Sequence, residues 1–443
     1  VAAAVTDWLA PWEPTAADPF DLAKAGHLLR RAGYGGSLAA RQDLVRRGVD
    51  AAVAHVCGDG ATGADPAERW LEPLLAFDDV ARLRETRVWI ALQGTRPLRD
   101  RATTFWHHHF ATSNRKLQDP RALARQFATF DRLGLGVFDG LCAAMVRDPA
   151  LLRWLDNDVN LRGKPNENFA REWLELFTLG RGNYAESDVR AAARACTGYT
   201  VVRGEFAFVG GEHDHGEFEL LGANGRADGD ELARRTAAHP ASARLLAAKW
   251  LRWFVHQEPE PAWVDALAAC YRQCSRDVGG TLRVLLRSRL FFSPAARRGI
   301  VKSPSEFVLG TVRACGARAA PKQLASAIAS MGEAWAEPAT VEGWRGGRAW
   351  LTPATWLLRS NFAAELFAGR LGPFVPGADA LLAPAKSRAD RAQLALDLLL
   401  DGDCSPASRE RLLAFAASPA ADGPGAAGAL LHAVTALPEY QLL

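Results

Sequence analysis

No run of roughly eighteen apolar residues, the length a membrane-spanning helix needs, occurs anywhere in the 443-residue chain. The N-terminal stretch VAAAVTDWLAPWEP lacks the basic and long apolar segments of an export signal and carries Asp7 and Glu13 instead. The expected compartment is therefore the cytoplasm. Paired CxxC cysteines are missing as well. The seven cysteines are an odd set in which Cys270 and Cys274 lie one helical turn apart without a second pair. They are expected as small buried hydrophobes in a reducing environment. GxSxG, the phosphate-binding P-loop, HExxH and a glycine fingerprint after a strand are all absent. Serine-hydrolase, nucleotide-dependent and zincin chemistries are left without local support. Nor does one sign of charge dominate: net charge is +3 with both signs interspersed, so no nucleic-acid partner is expected.

What the chain does have is helix-forming sequence. Hydrophobic residues make up 49% and charged residues 23%, the balance of an ordinary globular protein. Apolar residues recur at i, i+3, i+4 and i+7 in segment after segment. DLAKAGHLLRRAGYGG opens on a capping Asp21, SLAARQDLVRRGVDAAVAHVC reads as two helices broken at Gly48, and LRDRATTFWHHHF and NENFAREWLELFTLG read as longer helices. Gly180 and Gly198 stand where helix C-caps should stand. Residues 199–222 alternate apolar and polar positions with glycine punctuation and predict a β-hairpin with a following short strand. Residues 337–356 form a Gly/Trp/Pro-rich loop. The expected fold is mainly α, a large multi-helix globular fold with a small β-hairpin insertion around residues 199–222. The expected organisation is an N-terminal extension (1–20), a helical region (21–198), the β insertion (199–222) and a second helical region (223–443) packed as one unit with the first.

Three polar stretches are candidates for chemistry. In FWHHHF, His107 and His109 point about 200° apart on a helix and converge only if the helix ends or the stretch is extended. A buried histidine bonded to a carbonyl explains the cluster equally well. In NENFAREWLELFTLG, Asn168, Glu172 and Glu175 share one helical face, with Asn166 as N-cap and Glu167 in the first turn. Capping plus a solvated Arg171–Glu175 face is the plain alternative. GEHDHGEF carries His213, Asp214 and His215 at the predicted hairpin tip, where a polar turn built by Asp214 and Gly216 is the plain alternative. Asp148 and Asp156, flanking RDPALLRWLDN, read as caps.

As an ordered set these stretches resemble a large bacterial family, the domain of unknown function 1800. HLLRRAGYG, FWHHHFATS, RDPALLRWLDN, NENFAREWLELFTLG, HDHGEFELLG, KSPSEFVLGTVRA and GWRGGRAWLTPATWLLRSNFA follow one another in the family's order over roughly residues 20–370. The family usually shows W-H-N-H-F where this chain has WHHHF. The resemblance thus places His107 and His109 at the family's histidine positions and makes His108 the bystander. Trp173 stands where an aliphatic residue is usual, which implies a bulkier wall beside Glu172. Family members are often exported.

The polar signatures together lead to three functional expectations. The first is a metal-dependent hydrolytic or redox enzyme holding one divalent transition metal ion through His107, His109, His213 and Glu172. Glu172, Glu167 and Arg171 are then its catalytic groups, and Asn168, Trp173 and Trp344 contact the substrate. The second is a metal-free hydrolase or lyase acting on a glycan or small molecule through paired Glu172 and Glu167, with Trp106, Trp173 and Trp344 as stacking platforms. The third is a non-catalytic scaffold whose polar cluster is a buried network.

Overall fold

Short polar side chains set the helix starts. Asp21 accepts the Lys24 N–H at the head of α1 (Leu22–Ala32), and Ser37 accepts the Ala40 N–H at the head of α2 (Leu38–Cys57). Gly48, at φ 81° and ψ 167°, breaks α2 where the sequence places the break. Asp79 caps α3 (Val80–Gln93), Pro97 opens α4 (Pro97–His109), and Asp119 with Pro120 opens α5 (Pro120–Leu133). The computed structural model describes residues 7–59, 78–372 and 374–443. The first six residues of the N-terminal extension lie outside the described residues. Within these segments the chain is mainly helical, with two small two-stranded antiparallel sheets. No helix of the described residues is long and apolar enough to cross a membrane.

Asn166 accepts the Asn168 N–H and starts α6 (Glu167–Glu172), which widens into a π-helical turn over Trp173–Thr178. After α7 (Glu186–Ala195) the chain makes its β insertion. β1 (Tyr199–Val202) pairs with β2 (Glu205–Phe208) through Arg203–Gly204, both at positive φ, the turn that matches strand twist. The expected following strand, β3 (Phe218–Leu220), finds its own partner in β4 (Ala223–Gly225) through Leu221–Gly222. The insertion therefore runs three residues past 222. Three of the later helices, α8 (Pro240–Phe254), α9 (Pro304–Ala314) and α10 (Arg388–Leu400), carry buried charged side chains or frame cavities.

The apolar core forms two clusters that divide near residue 300. The first gathers buried residues from Trp12 to Ala296, joined by Ala336, on both sides of the β insertion, and includes Tyr199 and Leu220 of the insertion itself. The second is built mostly from Phe307 onward, joined by Tyr34, Val88 and Ala91. Arginines tie these segments together. Arg101 reaches Glu306 of α9 at 2.5 Å, and Arg313 donates to the carbonyls of Gly35 and Leu92 at 2.9 Å each. Arg96 grips Asp131 with both terminal nitrogens, at 2.8 and 2.9 Å. All seven cysteines are free: Cys142, Cys196 and Cys315 are buried, and the other four are half-buried.

Candidate functional site

α4 stays helical through His109, and the Phe110 N–H closes its last turn on the Trp106 carbonyl at 2.8 Å. The three imidazoles therefore fan out around the helix and do not converge. His107 is fully buried against Phe127 and Trp344. Its Nε2 accepts the Ala336 N–H at 2.9 Å, so the neutral ring carries its hydrogen on Nδ1, which has no hydrogen-bond partner among the described residues. Burial, reinforced by His108 and the Arg87 and Arg84 charges, pushes its pKa down to about 3.

His108 is more than a bystander. Its ring lies between the indoles of Trp253 and Trp344, with centroids 5.5 and 6.0 Å away, and its Nδ1 accepts the Trp344 N–H at 3.1 Å. It seats the 337–356 stretch, whose last residues begin a helix (Pro353–Phe367), on the end of α4. Gly343 permits the approach: its φ is 81°, and a Cβ there would stand 2.5 Å from His108 Nδ1. Gly343→Ala is expected to lower the unfolding free energy by about 1–3 kcal/mol, measured by urea denaturation. It should also speed proteolytic cleavage within the loop. An unchanged denaturation midpoint would show that the loop is not held by this contact.

His109 faces the other way. Its Nε2 lies 3.0 Å from the Phe177 carbonyl, which can only accept, so Nε2 carries the hydrogen and Nδ1 is left as acceptor. Nδ1 takes a hydrogen from Lys249 Nζ of α8 at 3.0 Å, and the same Nζ donates to the Leu176 carbonyl at 2.8 Å. Both carbonyls close the π turn, whose wider register shows in the Leu179 N–H reaching Leu174 at 2.8 Å. Carbonyls at a helix end need partners from outside, and here the partners are an imidazole and an amine. π turns of this kind gather at functional sites. Burial, with Lys249 beside it, holds His109 well below the usual imidazole range. Burial and then Arg252, opposed by Glu342, bring the Lys249 ammonium down to about 7.

Glu172 sits one residue before the π turn, half-buried, with no hydrogen bond or ion pair on its carboxylate among the described residues. Burial first, then the charges of Glu175 and Glu342, raises its pKa, while Arg171 and Arg181 oppose the rise. Glu175 is engaged by Arg181 at 2.5 Å and by the Tyr184 hydroxyl at 3.0 Å. Glu342, exposed in the 337–356 loop, acts electrostatically on both Glu172 and Lys249.

The other expected site residues have structural partners. Arg171 bridges Glu186 at 2.8 Å and Glu167 at 3.1 Å on the outer face of α6. Asn168 donates to the Leu155 carbonyl at 3.2 Å. The buried Asn157 and Asn160 tie the same loop to the carbonyls of Cys196, Tyr199 and Ala193. Asp148 caps a helix through the Leu151 N–H, as expected. Trp106 and Trp173 are fully buried and offer no face to a ligand, and Trp344 is 9% exposed. His213 is buried, with Nδ1 2.9 Å from the Thr197 carbonyl. Asp214 is held by Arg194 at 2.6 Å and accepts the Gly216 N–H at 2.9 Å, so this stretch is not a hairpin tip but a self-satisfied polar turn in the connection between β2 and β3. His107, His109, His213 and Glu172 are not brought together. Among the described residues no group of three or more His, Cys, Asp and Glu side chains is placed to hold a metal ion.

Sequence reasoning passed over Lys249, and with it His27 and Lys302, which line a cavity beside α1. A compositional signal for Lys249 exists. The chain has seven lysines among its 53 basic residues, so a lysine in an apolar helix is a departure from the prevailing arginine. His27 and Lys302 also open the HLLRRAGYG and KSPSEF stretches.

No curated protein and no solved structure matches the chain. A family described as a protein of unknown function (DUF1800) matches residues 27–442, beyond the span its motifs alone suggest. With nearly the whole sequence inside that match, the chain belongs to the DUF1800 family.

Proposed function

We propose that this chain is a metal-free enzyme of proton-transfer chemistry, a hydrolase or lyase acting on a polar small molecule or glycan where the π turn, α8 and the 337–356 loop meet. The observation that carries the reading is the hydrogen bonding of Lys249. Its neutral amine has two hydrogens, and both are taken, by His109 Nδ1 and by the Leu176 carbonyl. The lone pair is thereby left for a substrate proton. Lys249 accepts that proton and becomes an ammonium. Glu172, its acidity weakened by burial and by Glu175 and Glu342, returns a proton to the departing group and becomes a carboxylate. Two groups shifted toward neutrality from opposite sides make an acid and a base available at one pH.

The test starts without a substrate. With seven lysines, the 13Cε resonances of labelled protein can be assigned by single Lys→Arg variants. The Lys249 signal is expected to titrate near pH 7, about three pH units below a solvated lysine. On a panel of hydrolase and lyase substrates, Lys249→Met should lose at least about a hundredfold in kcat with its fold intact by circular dichroism. A Lys249 titration near pH 10, or a Lys249→Met variant as active as the parent, would remove the proposal. A non-catalytic scaffold is the second reading, favoured by the closed contacts of Asp214 at the β insertion and the Arg96–Asp131 pair. It foresees no turnover on any panel.

A further inference from the structure

A second place in the molecule has the makings of a ligand site, where residues of the two core clusters meet. A cavity opens between α1, the segment after Phe291, the end of α10 and the residues around Glu439. A much smaller recess adjoins it, and Arg30, Lys302 and Leu399 stand on the wall both share. Phe291, Phe292 and Leu442 give the larger cavity an apolar side.

Its charges do not balance. Asp21 is used in capping α1, and Glu439 accepts the Ser405 N–H and the Ser408 hydroxyl at 3.0 Å each. Asp403 is shared by Arg297 and Arg298. Arg30 is paired with Asp401 at 2.5 Å, and Lys24 with Asp18 at 2.6 Å. Lys302 is left over. It is 3% exposed, its Nζ sits 3.6 Å over the Tyr440 ring, and no carboxylate lies within ion-pair distance among the described residues. Burial first, then the charges of Arg30 and Arg359, holds the Lys302 ammonium well below the usual lysine range, against the opposing pull of Glu306 and Asp401, neither of which is within ion-pair distance. Arg298 feels the same crowding from Arg297 and Arg30. Charging a buried amine that has no directly paired anion is costly. His27 lines the same wall, its Nε2 3.0 Å from the Phe291 carbonyl, which commits that nitrogen to donation and leaves Nδ1 as acceptor.

We infer that this cavity binds a small organic anion, a carboxylate or phosphate ester with an apolar portion, whose charged end pairs with Lys302 beside Arg30. The anion supplies the counter-charge the protein omits, and Phe291, Phe292 and Leu442 take the apolar portion. The site is separate from the Lys249 chemistry, and either can fail alone.

The experiment uses the full chain with two probes, inorganic phosphate and acetate, in isothermal titration and thermal melts, with chloride at equal ionic strength as control. Saturable binding of either probe is expected, and the stronger of the two distinguishes a phosphate ester from a carboxylate as the natural head group. Lys302→Met should weaken binding at least about tenfold, the usual share of one charge-assisted hydrogen bond. Met fills the same volume without a buried amine, so this variant is expected to melt no lower than the parent in the absence of anion. In the parent, saturating anion should move the Lys302 13Cε titration to higher pH. Absence of saturable binding by both probes, or equal binding by Lys302→Met, overturns the assignment. If Lys302→Met fails to fold, an unmoved Lys302 titration in the parent overturns it instead.

Discussion

Glu306→Ala is expected to lower the unfolding free energy by about 3–5 kcal/mol, the usual result of removing one member of a buried ion pair. Arg101 is 1% exposed, and its guanidinium lies over both Tyr34 and Trp253, at 5.3 and 4.8 Å. Burial acts to strip its proton, but Glu306, Tyr34 and Glu333 together outweigh burial and keep the arginine charged. Without the carboxylate, that charge stays inside the protein with its ion-pair partner gone and only Glu333 to offset it. Glu306 has a second duty: its other oxygen accepts the Ser303 N–H at 2.6 Å and completes the capping box of α9. Glu306→Gln keeps the cap and loses the charge, and should fall between parent and alanine. The double variant Arg101→Met, Glu306→Leu should recover most of the loss, since an apolar pair of similar volume needs no solvation. Urea denaturation followed by circular dichroism reads all three. A loss below about 1 kcal/mol for Glu306→Ala would mean the pair is a solvated contact.

Trp106→Ala is the second large effect, with an expected cost of about 3–5 kcal/mol. The indole is fully buried, stacked on Phe110 and Phe138 at 5.9 and 5.6 Å, and meets His109 edge-on at 5.3 Å. Its Nε1 donates to the Gly134 carbonyl at 2.7 Å. Truncation opens a cavity and leaves that carbonyl without its indole donor. Trp106→Phe keeps most of the volume and should cost clearly less. The variant also probes the candidate site, because the indole edge is one wall of the His109 ring. A freed imidazole should shift the Lys249 titration measured by 13C resonance. Loss of stability with an unmoved Lys249 signal would show that the amine is positioned by the π turn alone.

These residues also mark which features were readable from sequence. Asn166, Asp148 and Gly48 act within three residues of themselves, through a cap bond or a positive φ, and the sequence states them directly. The divergence of His107 and His109 follows from helical pitch once the helix is known to continue through His109. That continuation rests on one backbone bond at Phe110, which no side-chain pattern announces. The π turn could not be read from NENFAREWLELFTLG, whose spacing suits an ordinary helix. Its register depends on His109 and Lys249, both more than sixty residues away along the chain, reaching the Phe177 and Leu176 carbonyls. The end of the β insertion was missed because Leu221 adopts a left-handed conformation unusual for leucine, so Gly222 read as the terminus when it is the middle of a turn.

The π turn has a consequence for how the chain tolerates change in length. A π turn is an α-helix carrying one residue more than its pitch accommodates. Deleting any single residue between Trp173 and Thr178 would remove the extra residue and close the wide turn into regular α pitch. The Leu176 and Phe177 carbonyls would swing away from the amine and the imidazole they now receive. Most side chains in this stretch could be exchanged for others of similar size without that displacement. The number of residues there is thus a stricter inheritance than their identity, and a sequence one residue shorter would be a different site in the same fold.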